Sequence, residues 1–88
     1  MPELSRFYGI VVRIFVEGGS RHVPHFHAQY GAFTVSYGID PIRLLAGDMP
    51  VRQRRLLEAW AELHQAELVL NWERIQRGER RMPIDPLQ

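Results

Sequence analysis

The chain contains no cysteine and no lysine. Without cysteine there is no disulfide, no thiolate zinc site and no cysteine nucleophile, which fits a reducing compartment. Without lysine, all eleven basic residues are arginine. The planar fork of arginine suits phosphate and carboxylate groups, although a GC-rich genome is the plainer cause. No apolar run approaches the ~20 residues that cross a bilayer. The segment Met1 to Ser5 lacks the basic-then-apolar order of a leader. The expected location is therefore cytoplasmic, with no membrane partner. A large charge of one sign is missing as well, and a net charge of +1 does not announce a nucleic-acid binder.

What is present fits one small domain spanning residues 1–88. A chain of this size buries roughly 60% of its unfolded surface, so its core is thin and an oligomer or partner protein is in keeping with it. Segment 7–16 is rich in β-branched and aromatic residues and predicts a strand. Glu17-Gly18-Gly19-Ser20 predicts a loop. Further strands are expected over 25–30, 32–38 and 42–45, with a hairpin turn around Gly31. From Val51 to Arg77 there is no glycine or proline, and Leu57, Trp60, His64, Leu68, Trp72 and Ile75 recur at helical spacing. One helix over 50–77 is expected, roughly 40 Å long, followed by an extended tail over 78–88. The expected fold is α+β, a small and mainly antiparallel sheet of three to four strands packed on one long C-terminal helix.

Alternation assigns the faces of that sheet. Ile10, Val12, Ile14 and Val16 share one side with Phe26, Ala28, Tyr30, Phe33, Val35 and Tyr37. The opposite side collects Arg13, His25, His27, Gln29, Thr34 and Ser36. A β-bulge would reverse part of this assignment. His64 lies on the apolar stripe of the helix, which places it against the apolar side and away from His25 and His27. If the helix instead packs on the histidine side, the three meet.

Three of the four histidines fall in the run His22-Val23-Pro24-His25-Phe26-His27. Imidazole titrates near neutrality and is the commonest metal ligand. A metal site would use His25 and His27 with His22 or His64, or with Asp40 or Glu67, around a divalent ion such as zinc. No other cofactor is suggested. A metal-free site would use His25 and His27 to move protons during RNA phosphodiester cleavage. Arg13 would steady the charge on phosphate, assisted by Thr34 or Ser36. The plainer reading is a structural or solvent-exposed histidine pair. Arg52, Arg54 and Arg55 in the first helical turn form a candidate anion or partner site, against the plainer pairing of Arg54 with Glu58. Trp60 and Trp72 are expected in the core.

Several motifs together resemble a known family. They are Ser5-Arg6-Phe7-Tyr8-Gly9-Ile10-Val11-Val12-Arg13, Pro24-His25-Phe26-His27-Ala28 and Tyr30-Gly31, then Trp60, His64, Glu67-Leu68, Asn71-Trp72 and Ile84-Asp85-Pro86-Leu87. Nearly the whole chain resembles the bacterial domain of unknown function 4160, with Val23 where members often carry a second proline. The resemblance implies a small standalone protein, often encoded beside a protein of domain of unknown function 2442. That arrangement looks like a toxin–antitoxin pair in which this chain is the toxin and its partner a small antitoxin-like protein. It implies no reaction. The function expected from residues and resemblance is a toxin-like component acting on RNA through the histidine-bearing sheet face. The alternatives are a non-enzymatic protein-binding or regulatory module, including a homodimer through the long helix, and a metal-dependent hydrolase.

Overall fold

The computed structural model describes residues 3–16 and 23–88. Five strands form one antiparallel sheet in chain order: β1 (Glu3–Phe7), β2 (Ile10–Arg13), β3 (His25–Tyr30), β4 (Phe33–Ile39) and β5 (Ile42–Gly47). Two helices follow, α1 (Val51–Leu63) and α2 (Gln65–Gln76). The fold is α+β, as expected, with one strand more than the upper expectation and two helices in place of one.

The additional strand comes from residues 7–16, which do not form a single strand. Tyr8 and Gly9 both have positive φ, 49° and 79°. This is the backbone of a two-residue hairpin turn whose twist matches the flanking strands. Phe7 therefore pairs with Ile10 across the turn. A tyrosine at φ > 0 runs against local preference, and the β-branched residues on either side conceal the turn.

Alternation along β2, β3 and β4 builds the core. Ile10, Val12, Phe26, Ala28, Val35 and Tyr37 are buried on one face, and Ile14 just beyond β2 continues the series. The helices cover that face with Leu57, Trp60, Ala61 and Leu68. Trp60 lies 5.4 Å from the ring of Phe7 and 5.9 Å from Phe26, edge to face with the latter.

The expected helix over 50–77 is interrupted at His64, which takes φ −115° and ψ 24°. A straight helix of roughly 40 Å would overrun a molecule whose longest dimension is 34 Å. The bend keeps α2 on the protein. Gln65 Nε2 fixes it by donating to the Ile39 carbonyl at the end of β4, 2.9 Å away.

Residues after α2 are extended but docked. The Ile84 N–H donates to the Leu4 carbonyl at 2.9 Å, and Ile84 itself is buried. Trp60 Nε1 donates to the Asp85 carbonyl at 2.8 Å. Asn71, 1% exposed, holds the segment from the helix. Its amide nitrogen donates to the carbonyls of Glu67 and Met82, and its oxygen accepts from the Met82 N–H at 2.6 Å. Asn71→Ala leaves both backbone groups of Met82 without this partner, at about 1–3 kcal/mol. We expect a lower urea midpoint together with faster tryptic cleavage at Arg80 and Arg81. Wild-type cleavage rates in the variant would show that Asn71 does not hold the tail.

Candidate functional site

The face of the sheet turned away from the helices carries a depression of about 290 Å³. Arg13, Phe15, His27, Gln29, Thr34 and Ser36 line it, and Ala46 and Gly47 of β5 form its rim. Strand register explains the grouping. Arg13 pairs with His27, His27 with Ser36, and Gln29 with Thr34. The two register shifts in the sheet lie between Glu3 and Ser5 and between Ser36 and Tyr37, on the outer strand pairs. No bulge therefore reverses the polar side chains of β2 and β3.

Each polar group has a defined place. Ser36 Oγ and His27 Nδ1 share a hydrogen bond of 3.2 Å. Arg13 Nη1 donates to Gln29 Oε1 at 3.1 Å, and Gln29 Nε2 donates to the Gly31 carbonyl. Arg13 Nε is buried, and no acceptor among the described residues meets it. The ring of Phe15 stacks on His27, 4.6 Å between centroids and 7° from parallel. At the rim, Gly47 has φ 87°, and a Cβ there would lie 2.1 Å from the Thr34 carbonyl oxygen. Only glycine fits that close approach.

His25 shares the face with His27 but does not line the depression. It is 7% exposed, and its Nδ1 lies 2.7 Å from the Val23 carbonyl. A carbonyl only accepts, so that nitrogen carries the proton. The His25 ring meets His27 edge-on at 5.0 Å and Trp72 of α2 at 5.2 Å. Trp72, expected in the core, is half-buried: it packs against the edge of the core and against the His25 ring. No local sequence signal predicts this contact, because it depends on the bend at His64. Phe15 follows Arg13 by two residues, so alternation places it on the same face, and its ring stacks on His27.

The other candidate residues go elsewhere. His64 Nδ1 pairs with Glu67 Oε1 at 2.5 Å, and its ring lies 5.6 Å from Trp60. Among the described residues no three His, Asp or Glu side chains are placed to hold a metal ion. Neither His64, Asp40 nor Glu67 therefore completes a site with His25 and His27, and His22 lies outside the described residues. Arg52 and Arg55 are exposed, whereas Arg54 is half-buried beside Tyr37 and Glu58. Arg54 is thus engaged within the fold, while Arg52 and Arg55 face solvent.

Tyr37 donates to Glu58 Oε2 at 2.6 Å. Burial, and then the bond to Glu58, push its phenol up to about 12, while Arg54 pulls the other way. An unfolded tyrosine titrates near 10, so between about pH 10 and 12 the folded chain holds a proton that the unfolded chain has lost. Stability is thus fully present below about pH 10 and falls as pH rises through 12. Lysine and cysteine are absent, which leaves the three tyrosines as the side chains with reference values in this window. Urea unfolding between pH 9.5 and 11.5 should lose stability more steeply in the wild type than in Tyr37→Phe. Equal slopes would show that Tyr37 titrates as it does in the unfolded chain.

An antiparallel five-strand meander covered by a bent helix on one face, with a histidine- and arginine-lined depression on the other, defines the class of this protein. The chain belongs to the family described as Domain of unknown function (DUF4160), whose model matches residues 9–73. No curated protein and no solved structure matches it. The matched stretch runs from the β1–β2 turn to just past Trp72 and takes in Arg13, His25, His27 and Ser36.

Proposed function

We propose that this protein is the toxin-like component of a bacterial toxin–antitoxin module, and that it acts on RNA at the depression on its open sheet face. The reading is carried by the convergence of Arg13, His27 and Ser36 on three adjacent strands. A buried guanidinium N–H that meets no acceptor among the described residues favours an oxygen ligand, since leaving it unmet has a cost of about 1–3 kcal/mol. A phosphodiester oxygen at Arg13 Nε would bring the phosphate beside the His27 ring.

The chemistry then follows from the residues present. His27 takes the proton from the 2′-hydroxyl, and the 2′-oxygen bonds to phosphorus. The bond to the 5′-oxygen breaks, and that oxygen takes a proton from solvent. Arg13 stabilises the charge that builds on the phosphate oxygens. His25 acts as a positioning residue, setting the ring of His27 from behind. A small antitoxin-like protein would restrain this activity in the cell, in the cytoplasm.

Induced expression should arrest growth. His27→Ala and Arg13→Ala should each relieve the arrest and lower RNA cleavage by purified protein about 10²-fold. Both variants must keep the wild-type circular dichroism and melting temperature, because loss of folding in a thin-cored domain mimics loss of function. Normal growth with the wild type, or arrest that persists in both folded variants, would remove the proposal. Persistence would favour a protein-binding module.

A further inference from the structure

A second cavity opens on the same side of the sheet as the depression. It also measures about 290 Å³, and Pro24, Gly38, Asp40, Pro41, Arg43 and Leu45 are among the residues that line it. Strand register fixes its place. Gly38 pairs with His25 on one side and with Arg43 on the other, and it lies two residues beyond Ser36 on β4, so these positions share the open side. Leu45 borders this cavity, and Ala46, the next residue, borders the depression. The two hollows are therefore neighbours on one surface. A Cβ at residue 38 would lie 3.0 Å from the Pro41 carbonyl oxygen, so glycine lets the β4–β5 turn fold close over the strand.

The lining holds one charge of each sign. Asp40 and Arg43 are exposed and border the same cavity. Among the described residues neither side chain makes a hydrogen bond or an ion pair, unlike Arg6, Arg13, Arg74 and Arg77. Pro24, Pro41 and Leu45 supply apolar walls. A carboxylate and a guanidinium held apart beside apolar walls match a flat ring that carries donors and acceptors side by side.

We infer that this cavity is a subsite for one unpaired guanine of the RNA strand. Guanine presents, in order around one edge, the N2 and N1 donors and the O6 and N7 acceptors. Asp40 accepts from N2–H and N1–H, and Arg43 donates to O6 and N7. Adenine and cytosine set a ring acceptor beside their amino donor, and that acceptor would face the carboxylate. Uracil has a single N–H between two carbonyls. In a duplex the N1 and N2 donors are already bonded to the paired base, so the substrate class is single-stranded RNA. The inference rests on the RNA reading of the depression, which is what brings a strand to this face. Ser36 and Gly38 are roughly 7 Å apart along β4, so a strand with its phosphate at Arg13 carries the base of a nearby nucleotide over the cavity.

The test reads binding without cleavage. The isotope-labelled full chain is titrated with each of the four nucleoside 5′-monophosphates and followed by its amide chemical shifts. Guanosine monophosphate should move the amides of Gly38, Arg43 and Leu45 and bind about tenfold or more tighter than the other three. Asp40→Asn and Arg43→Ala should each remove that margin, and both should otherwise keep the wild-type amide spectrum, since both side chains are exposed. Equal binding of all four, shifts confined to the residues around Arg13 and His27, or no binding at all overturns the inference. A margin that survives both folded substitutions overturns it too. Guanine selection at this cavity in a chain that does not cleave RNA would remove the catalytic reading and keep the guanine site. Cleavage of single-stranded RNA with no preference for guanine near the cut would do the reverse.

Discussion

The burial of Trp60 is the interaction on which the rest of the molecule depends. Its ring closes the space between Phe7 and Phe26, and its indole N–H reaches the Asp85 carbonyl. One side chain thus joins the first hairpin, the middle of the sheet, helix α1 and the C-terminal residues. Removing a buried tryptophan from a core costs about 3–5 kcal/mol, a large share of the stability of so small a domain. Because a sheet that packs helices on one face exposes the other, the placement of Trp60 also decides which strand residues remain available for chemistry.

Those residues are not isolated from the core. Trp72, His25, His27 and Phe15 form a file of rings with successive centroids 5.2, 5.0 and 4.6 Å apart. The file begins on α2 and ends in the depression. His25 has its Nδ1 on the Val23 carbonyl and its ring between Trp72 and His27, so His27 rests on a side chain that is itself fixed on two sides. Preorganisation of this kind is what a proton-transferring group needs. The two histidines also have different surroundings, although the spacing His-x-His makes them look equivalent.

Alternation made much of this architecture legible. The inward set of β2, β3 and β4 and the grouping of Arg13, His27, Gln29, Thr34 and Ser36 both follow from a period of two, except that Phe33 at the start of β4 and Val16 beyond β2, expected inward, are exposed. Three features did not follow, each for a physical reason. The Tyr8-Gly9 turn lies in a run of strand-favouring residues and places a tyrosine where glycine or asparagine is usual. The bend at His64 has no glycine or proline to mark it, since it is set by the length of the sheet and by the Gln65 contact to Ile39. The separation of His25 from the depression accompanies its contacts with the Val23 carbonyl and with Trp72, which no local pattern marks.

The bend therefore links the two faces of the protein. The bend changes the direction of α2, which carries Trp72, and so bears on its contact with His25. In the bent arrangement Trp72 lies against His25, 5.2 Å between ring centroids. The same 26 residues thus present Leu57, Trp60 and Leu68 to the core, Trp72 to the histidine pair, and Leu63 and Leu70 to solvent. A domain with a thin core has little apolar surface to spare. The core residues of this stretch therefore sit on one side of the two helices, with Leu63 and Leu70 on the other.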